Sequence, residues 1–154
     1  MAFVITAACV AGICSLIVFW TQRNKQRSNM EQHSITPESL YAALVSNQEI
    51  LIFDVRQPLD LLAYPEIIPG AKRIPPNEVL EKPSLIPGEK DSVVYCTCPN
   101  DKTSRAVLGR ALEVHLRRVK FLKGGLAAWK ANSYPVEPYR EVFQLYTPTA
   151  APPS

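Results

Sequence analysis

Metal-ligating side chains are scarce in this chain of 154 residues, which has only two histidines and four cysteines. His33 stands in a polar stretch and His115 falls late in an amphipathic segment, so neither is a neighbour of Cys96 and Cys98 in the sequence. A structural zinc site requires four protein ligands around one ion. The spacing therefore predicts no metal site, and no motif in the chain indicates a cofactor.

A disulfide framework of the secreted type is also lacking. Cys9 and Cys14 lie in an apolar amino-terminal run, and Cys96 and Cys98 are separated by a single residue. In a reducing compartment, so close a pair is more often catalytic or metal-binding than structural. Cys96 and Cys98 are therefore the candidate reactive groups.

Excess charge is small, with a formal net charge of +3 at pH 7. Arg23, Lys25 and Arg27 form one basic cluster, and the rest of the chain is close to neutral. The basic patch at 117–120 falls at a predicted helix end, where cations complement the helix dipole. Because no basic stripe is interleaved with aromatic residues, we expect no nucleic-acid partner.

Charged side chains are missing altogether from residues 2–20, which are apolar or small throughout. About 20 apolar residues cross a hydrocarbon core of ~30 Å, and Phe19 and Trp20 suit the aromatic belt at its edge. The basic cluster follows on the carboxyl side only, which by the positive-inside tendency places that side in the cytoplasm. We predict a single transmembrane helix over 1–21, in the inner or plasma membrane, with the amino terminus outside.

A cleaved leader is the alternative to this anchor. The run has no basic segment before it and no small-x-small site at its end, both of which signal peptides carry. The residues before Cys9 and Cys14 fit lipoprotein processing poorly. An uncleaved anchor is the favoured interpretation.

Strand and helix patterns alternate through residues 36–139, between a polar linker at 22–35 and a proline- and alanine-rich tail at 140–154. Thr36-Pro37-Glu38 has the N-cap hydroxyl, first-turn proline and acid of a helix start. Apolar runs predict strands at 51–55, 71–74, 92–96 and 119–122, and helices at 104–116 and after Gly124-Gly125. The alternation predicts a mainly parallel α/β sheet with right-handed crossovers, which binds ligands at the carboxyl ends of its strands.

Cys96 and Cys98 stand at such a carboxyl end, between the strand at 92–96 and the helix at 104–116. A thiol at a strand-to-helix turn faces backbone N–H groups and the positive end of the helix dipole. Both stabilise the thiolate, which is the nucleophilic form.

Several short motifs accompany this turn in a fixed order. They are Ile50–Arg56, Ile68–Ala71, Tyr95–Cys96, Phe121–Trp129 and Tyr134–Val136. Together they resemble the rhodanese (sulfurtransferase) domain over residues 36–139. The resemblance implies a doubly wound, mainly parallel α/β domain. One of its cysteines would accept a sulfane sulfur from thiosulfate or a persulfide donor, and would pass it as a persulfide to a thiol acceptor. The loop Tyr-Cys-x-Cys-Pro-Asn is similar to that of a membrane-anchored branch of the family, which implies a membrane-protein partner.

The nucleophile loop departs from the common family pattern, Cys-x-x-Gly-x-Arg-Ser. Counted from Cys98, the spacing to the serine is kept, but Asp101 replaces the glycine and Thr103 the arginine. Cys96 has the usual context after Val-Val-Tyr, with a loop two residues longer. Pro99 has no N–H and removes one donor from a cradle built on Cys98. We favour Cys96 as the carrier, although the spacing favours Cys98, and the second thiol could resolve the persulfide or form a disulfide.

Other side chains complete the predicted site. The anion cradle comprises Asn100, Asp101, Lys102, Thr103 and Ser104, and the supporting residues are Asp54, Arg56 and Arg105.

Each of these has a simpler alternative. Asp54 and Arg56 could orient the loop or merely pair with each other. Lys102 and Arg105 could attract an anionic donor or be solvated residues of a helix start. Thr103 and Ser104 could hydrogen-bond the thiolate or cap the helix.

Three functions follow in order of preference. The first is a membrane-anchored sulfurtransferase. The second is a non-catalytic docking or redox-sensing module, because the glycine and arginine that shape the anion pocket are replaced. The third is a phosphatase or arsenate reductase, whose Cys-x5-Arg signature is met here only by Lys102 counted from Cys96, and lysine is a poorer oxyanion clamp than arginine.

Overall fold

The computed structural model of the protein describes residues 17–25, 28 and 30–140. Residues 17–25 are helical. In this described part of the chain, no helix is both long enough and apolar enough to cross a membrane. Most of the run at 2–20, and the tail from residue 141 onward, lie outside the described residues, so the anchor stays a prediction.

The centre of the domain is a five-stranded parallel sheet. Its strands are β1 (Ser34–Ile35), β2 (Ile50–Asp54), β4 (Lys72–Arg73), β5 (Asp91–Tyr95) and β6 (Val119–Leu122). Their order across the sheet is β1-β6-β5-β2-β4, and every neighbouring pair is parallel. A separate antiparallel pair is formed by β3 (Glu66–Ile67) and β7 (Glu137–Pro138).

Helices cover both faces of the sheet, as a doubly wound fold requires. They are α1 (Pro37–Val45), α2 (Pro58–Ala63), α3 (Pro76–Glu81), α4 (Lys102–Glu113) and α5 (Gly125–Ala131). Because side chains alternate along a strand, each central strand supplies both faces. One core contains Phe53, Val79, Val94, Cys96, Val107, Leu108 and Phe121, and the other contains Leu40, Ile52, Val93, Tyr95, Leu122, Leu126 and Trp129.

The predicted strands at 51–55, 92–96 and 119–122 are confirmed to within one residue, and the short strand at 71–74 contains β4. The start of α1 is also confirmed: the Ser39 amide donates to Thr36 Oγ1 at 3.3 Å, with Pro37 in the first turn. Two features differ. Strand β1 lies in the predicted linker, and the short helices α2 and α3 lie within residues 58–87, where the many prolines predict loops and little long helix.

The helix predicted at 104–116 begins earlier and ends earlier, at Lys102 and Glu113. Both boundaries have a backbone cause. Asp101 before it and His115 after it have φ values of 55° and 63°, which lie outside the right-handed helical region.

Candidate active site

The loop from Cys96 to Thr103 joins β5 to α4 at the carboxyl edge of the sheet, as predicted. Asn100 and Asp101 both adopt a left-handed conformation with φ of 55°. Asparagine and aspartate tolerate this conformation better than other side-chain-bearing residues. The double left-handed turn brings the amino terminus of α4 back towards Cys98.

Cys98 receives the free donors of that helix end. The Thr103 amide donates to Cys98 Sγ at 3.1 Å, and the Thr103 hydroxyl is hydrogen-bonded to the same sulfur at 3.3 Å. The first amides of a helix have no intrahelical acceptor, so they are available to an anion. The sulfur is half-buried, which leaves one side open to a small molecule.

The two thiols are in direct contact, with Cys96 Sγ 2.8 Å from Cys98 Sγ. Burial opposes ionisation of Cys98, but hydrogen bonds from Cys96 and Thr103 outweigh it and hold the pKa of Cys98 below its ordinary value. Burial raises the pKa of Cys96 to about 11, and its hydrogen bond to Cys98 adds to the rise. Cys98 is therefore the more acidic thiol of the pair, and Cys96 is placed to donate a hydrogen bond to it.

In the structure, Cys98 is the more exposed and more acidic of the two thiols, whereas the sequence context after Val-Val-Tyr favours Cys96. Cys96 is only 1% exposed, because it continues the alternation of β5 and points into the same core as Val94. The sequence context after Val-Val-Tyr suggested Cys96, while the spacing to Ser104 suggested Cys98. The period-two pattern from Val94 to Cys96 was the signal that could have indicated the burial of Cys96.

Asp101 occupies the position of the family glycine and supports the loop from behind. Its side chain is 7% exposed, and its Oδ2 accepts a hydrogen bond from the Gly124 amide at 2.9 Å. The carboxylate is therefore turned towards the start of α5. Asp101 is predicted as a member of the anion cradle, but in the structure its carboxylate is bonded to the backbone of the Gly124 turn.

Gly125 allows the loop to approach α5. The Leu126 amide donates to Cys96 O at 3.1 Å, and a Cβ added to Gly125 would lie 2.0 Å from the same oxygen. The sequence showed Gly124-Gly125 only as a turn into a helix. The structure adds that amides at this turn donate to Cys96 O at the start of the nucleophile loop and to the Asp101 side chain near its end.

The remaining cradle residues have separate roles. Because α4 begins at Lys102, neither Thr103 nor Ser104 is its N-cap, and the capping alternative is wrong. Ser104 is fully buried, and its Oγ lacks a hydrogen-bond partner at ordinary geometry. This hydroxyl is nevertheless near enough to Cys96 to oppose, in part, the rise in the pKa of Cys96. Asn100 and Lys102 are exposed at the mouth of the loop.

Asp54 and Arg56 form a buried ion pair under the sheet edge, as the simpler alternative had it. Both are fully buried, and Arg56 also donates to Tyr64 O and Glu66 O at 2.9 and 2.7 Å. The Tyr95 hydroxyl donates to Asp54 Oδ2 at 3.0 Å. Because Asp54, Arg56 and Tyr95 are all buried and Asp54 is bonded to both of the others, the pair fixes the end of β5 beside the loop.

Arg105 is engaged with the segment before β1. Its guanidinium donates to Glu31 Oε1 at 2.8 Å and lies 4.3 Å above the centre of the Phe121 ring. The hydrogen bond from Arg105, followed by that from Lys123, lowers the pKa of Glu31. Of the two flanking cations, Lys102 is thus the one that remains exposed at the loop.

A groove of about 260 Å³ adjoins the loop at Thr97. Its walls are Tyr64, Thr97, Leu126, Ala127 and Lys130. A cavity of about 290 Å³ lies at the opposite edge of the sheet, where β2 and β5 begin. Across the described part of the chain, no three His, Cys, Asp or Glu side chains are grouped to hold a metal ion.

Comparison with known proteins agrees with this geometry. Residues 36–132 match the family model of the rhodanese-like domain. A sulfurtransferase of Allochromatium vinosum is 28% identical over 104 residues, which cover 68% of this chain and 94% of that protein. An adenylyltransferase and sulfurtransferase of Yarrowia lipolytica is 34% identical over 104 residues, but the match covers only 24% of it.

A solved structure extends the likeness to three dimensions. The rhodanese-related protein of Thermoplasma volcanium superposes with a TM-score of 0.58 at 26% sequence identity. The match covers 68% of this chain and 97% of that one.

Proposed function

Because this chain belongs to the rhodanese-like domain family, we propose that it is a sulfurtransferase in which Cys98 carries the transferred sulfur. The observation that supports this most is the environment of Cys98 Sγ. Within hydrogen-bond distance of that sulfur are the Thr103 amide, the Thr103 hydroxyl and the Cys96 thiol. The sulfurtransferase of Allochromatium vinosum, most of which aligns with this chain, points to the same activity.

The first half-reaction is attack of the Cys98 thiolate on the outer sulfur of thiosulfate. The S–S bond of the donor breaks, sulfite leaves with the bonding electrons, and Cys98 becomes a persulfide anion. The donors around Cys98 Sγ stabilise the attacking thiolate, and they stabilise it again when Cys98 leaves in the second half-reaction. Lys102, exposed at the loop, supplies positive charge for the approach of the anionic donor.

The second half-reaction passes the outer sulfur to a thiol acceptor. The acceptor thiolate attacks the outer sulfur, and Cys98 leaves as a thiolate. A leaving thiolate of low pKa departs faster, so the hydrogen bonds from Thr103 assist this step as well. Transfer is thereby divided into two displacements at the transferred sulfur, with Cys98 as the nucleophile in the first and the leaving group in the second.

We further propose that the domain is held at a membrane by the apolar run at 2–20, with the domain on the cytoplasmic side. The support is the sequence alone: the run has no charge, and the cluster of Arg23, Lys25 and Arg27 follows it. An anchored sulfurtransferase would deliver sulfur to a membrane-protein partner.

Release of sulfite tests the transferase proposal, because it reports loading whatever happens to the persulfide later. The full-length chain is reduced, and the small-molecule thiol used for reduction is removed. The protein is then mixed with thiosulfate in the absence of oxygen, and the sulfite released per chain is measured. We expect one sulfite per chain from wild type and from Cys96→Ser, and none from Cys98→Ser. A Cys14→Ser variant serves as the matched cysteine control and should behave as wild type.

Two results would contradict the proposal. Sulfite from Cys98→Ser but not from Cys96→Ser would move the carrier to Cys96. No sulfite from any variant, together with no thiol release from glutathione persulfide, would remove the activity and favour a docking or redox-sensing module.

A further inference from the structure

In the transfer just described Cys96 only hydrogen-bonds the carrier, and no sulfur passes through it. It is 1% exposed, so an external donor or acceptor does not reach it. Its Sγ is nevertheless 2.8 Å from Cys98 Sγ. A second thiol placed under the first is positioned to react with whatever forms on Cys98.

We propose that Cys96 resolves the Cys98 persulfide, so that the protein reduces sulfane sulfur to sulfide as well as transferring it. The inference rests on the proposed function, because the persulfide must form on Cys98 first. The chemical class of the substrate is a sulfane sulfur donor, and the product is hydrosulfide.

The step balances within the loop. Cys96 Sγ attacks the inner sulfur, which is Cys98 Sγ, and the bond between the two sulfurs of the persulfide breaks. The outer sulfur leaves with those bonding electrons and takes the proton of Cys96, so it departs as hydrosulfide. The transferred sulfur is reduced, and Cys96 and Cys98 are oxidised to a disulfide.

The contacts favour attack on the inner sulfur. Cys96 lies on the core side of Cys98 Sγ, and the outer sulfur of a persulfide would extend towards the open side. Cys96 attacks as a thiolate, so the proton that its raised pKa retains passes to the persulfide anion as the new S–S bond forms. The exposed outer sulfur remains open to an external thiol, and the two fates compete.

A dithiol reductant is needed to restore the two thiols after each turnover. A disulfide across a single intervening residue, here Thr97, closes a small ring. Strained disulfides of this kind have oxidising potentials and are readily reduced by dithiols. The proposed cycle is therefore sulfane sulfur plus dithiol giving sulfide plus disulfide.

The test is a single turnover with no added thiol. Reduced full-length protein is mixed anaerobically with thiosulfate, and sulfite, sulfide, free thiols and intact mass are measured on the same sample. For wild type we expect one sulfite and one sulfide per chain, the loss of two thiols and no sulfur added to the mass. Serine keeps a hydroxyl beside Cys98 but cannot form a disulfide, so for Cys96→Ser we expect slower loading that still reaches one sulfite per chain, with no sulfide and one sulfur added.

Controls exclude other thiols and oxygen. A Cys9→Ser/Cys14→Ser variant should match wild type in every readout, and wild type without donor should keep all of its thiols. Loss of sulfide release in that control variant would overturn the assignment to Cys96.

The two proposals fail in different ways. If wild type releases sulfite but keeps the added sulfur and its thiols, the transferase stands and resolution by Cys96 is overturned. If no variant releases sulfite from thiosulfate or glutathione from glutathione persulfide, the Cys98 persulfide does not form and both proposals are overturned.

Discussion

At the scale of single residues, the reactivity of Cys98 depends on competition between burial and hydrogen bonding. Taking a thiolate out of water raises its pKa, whereas a hydrogen bond to a charged group contributes about 1.5–3 kcal/mol in its favour. Thr103 supplies two donors and Cys96 a third, and the pKa of Cys98 ends below its ordinary value. Removing one donor should therefore change the ionisation of Cys98 measurably.

Thr103→Val removes the hydroxyl and keeps the backbone amide. A lost hydrogen bond of about 1.5 kcal/mol corresponds to a rise of roughly one pKa unit. Because the thiolate reacts and is lost as pH falls through its pKa, the alkylation rate of the loop should need a higher pH in this variant. The measurement is the pH profile of iodoacetamide alkylation in the Cys9→Ser/Cys14→Ser background.

Thr103→Ser keeps a hydroxyl at the same position and is the matched control for that profile. Its midpoint should stay near that of wild type. A midpoint unchanged in Thr103→Val would show that the hydroxyl does not stabilise the thiolate.

The replaced family residues also have explanations at this scale. Asp101 takes the left-handed conformation that glycine adopts without steric cost, and its carboxylate bonds the Gly124 amide. Thr103 replaces the arginine with a short hydroxyl that bonds the sulfur itself. The loop therefore keeps its turn and its donors with different side chains.

At the scale of elements, the turn Gly124-Gly125 and the helix α4 hold the loop between them. Gly125 is packed against the backbone of Cys96, so the position of the nucleophile loop depends on the absence of a side chain there. The ends of α4 are set by left-handed residues on both sides. Substitutions at these positions should separate support of the loop from stability of the domain.

Gly125→Ala should disrupt the loop, because its Cβ would lie 2.0 Å from Cys96 O. We expect a loss of roughly 3 kcal/mol or more in the free energy of unfolding, from overlap plus the cost of a positive φ. The measurements are urea unfolding and sulfite release.

Gly70→Ala is the matched control, because Gly70 has a φ of +76° with nothing within 4 Å of an added Cβ. Its loss should stay at about 1–2 kcal/mol, with normal sulfite release. Equal losses in the two variants would contradict the packing argument.

His115→Gly should stabilise the domain. His115 follows α4 in a left-handed conformation, with its amide bonded to Leu112 O at 3.1 Å, which is the position where glycine usually ends a helix. Relief of the left-handed strain should add about 1 kcal/mol to the free energy of unfolding. Val114→Gly is the control, because Val114 has a φ of −98° and no left-handed strain to relieve. This variant should not increase the free energy of unfolding. An increase equal to that of His115→Gly would contradict the explanation by left-handed strain.

The strong patterns were the ones that could be predicted from sequence. The apolar runs of β2, β5 and β6 are long enough to indicate buried strands by themselves. Strand β1 has only Ser34 and Ile35, and it exists because it pairs with β6. The helices α2 and α3 have six residues each, too few for a periodic pattern, and tertiary packing stabilises them.

The site was predictable to the level of the loop and the two cysteines. Which of the two cysteines is buried depends on the face of the sheet to which each side chain points, and on the helices that cover that face. The role of Asp101 depends on Gly124, 23 residues later in the chain. Contacts of this kind join segments that sequence patterns treat separately.

At the scale of the whole molecule, the end of the predicted linker belongs to the folded domain. Strand β1 extends the sheet, and Glu31 is bonded to Arg105 at 2.8 Å and to Lys123 at 3.1 Å. A short tether would thus separate the domain from the proposed anchor at 2–20. Arg105, near the start of α4 and the nucleophile loop, is paired with Glu31 in the segment that precedes β1.

The proposed anchor predicts how the full-length chain behaves in cell fractions. It should stay in the membrane pellet through a high-salt wash and an alkaline carbonate wash, because burial of some 20 apolar residues does not depend on charge. Deletion of residues 2–20 should move the chain to the supernatant. Release of the full-length chain by carbonate would contradict a membrane-spanning segment.

The most direct test of the account is to locate the sulfur. Wild-type protein is mixed with thiosulfate, quenched early with an excess of alkylating agent, digested, and the peptide with both cysteines is fragmented in a mass spectrometer. The account predicts an extra, alkylated sulfur on Cys98, with Cys96 carrying none. An extra sulfur on Cys96 would contradict the account, because the buried thiol would then be the carrier.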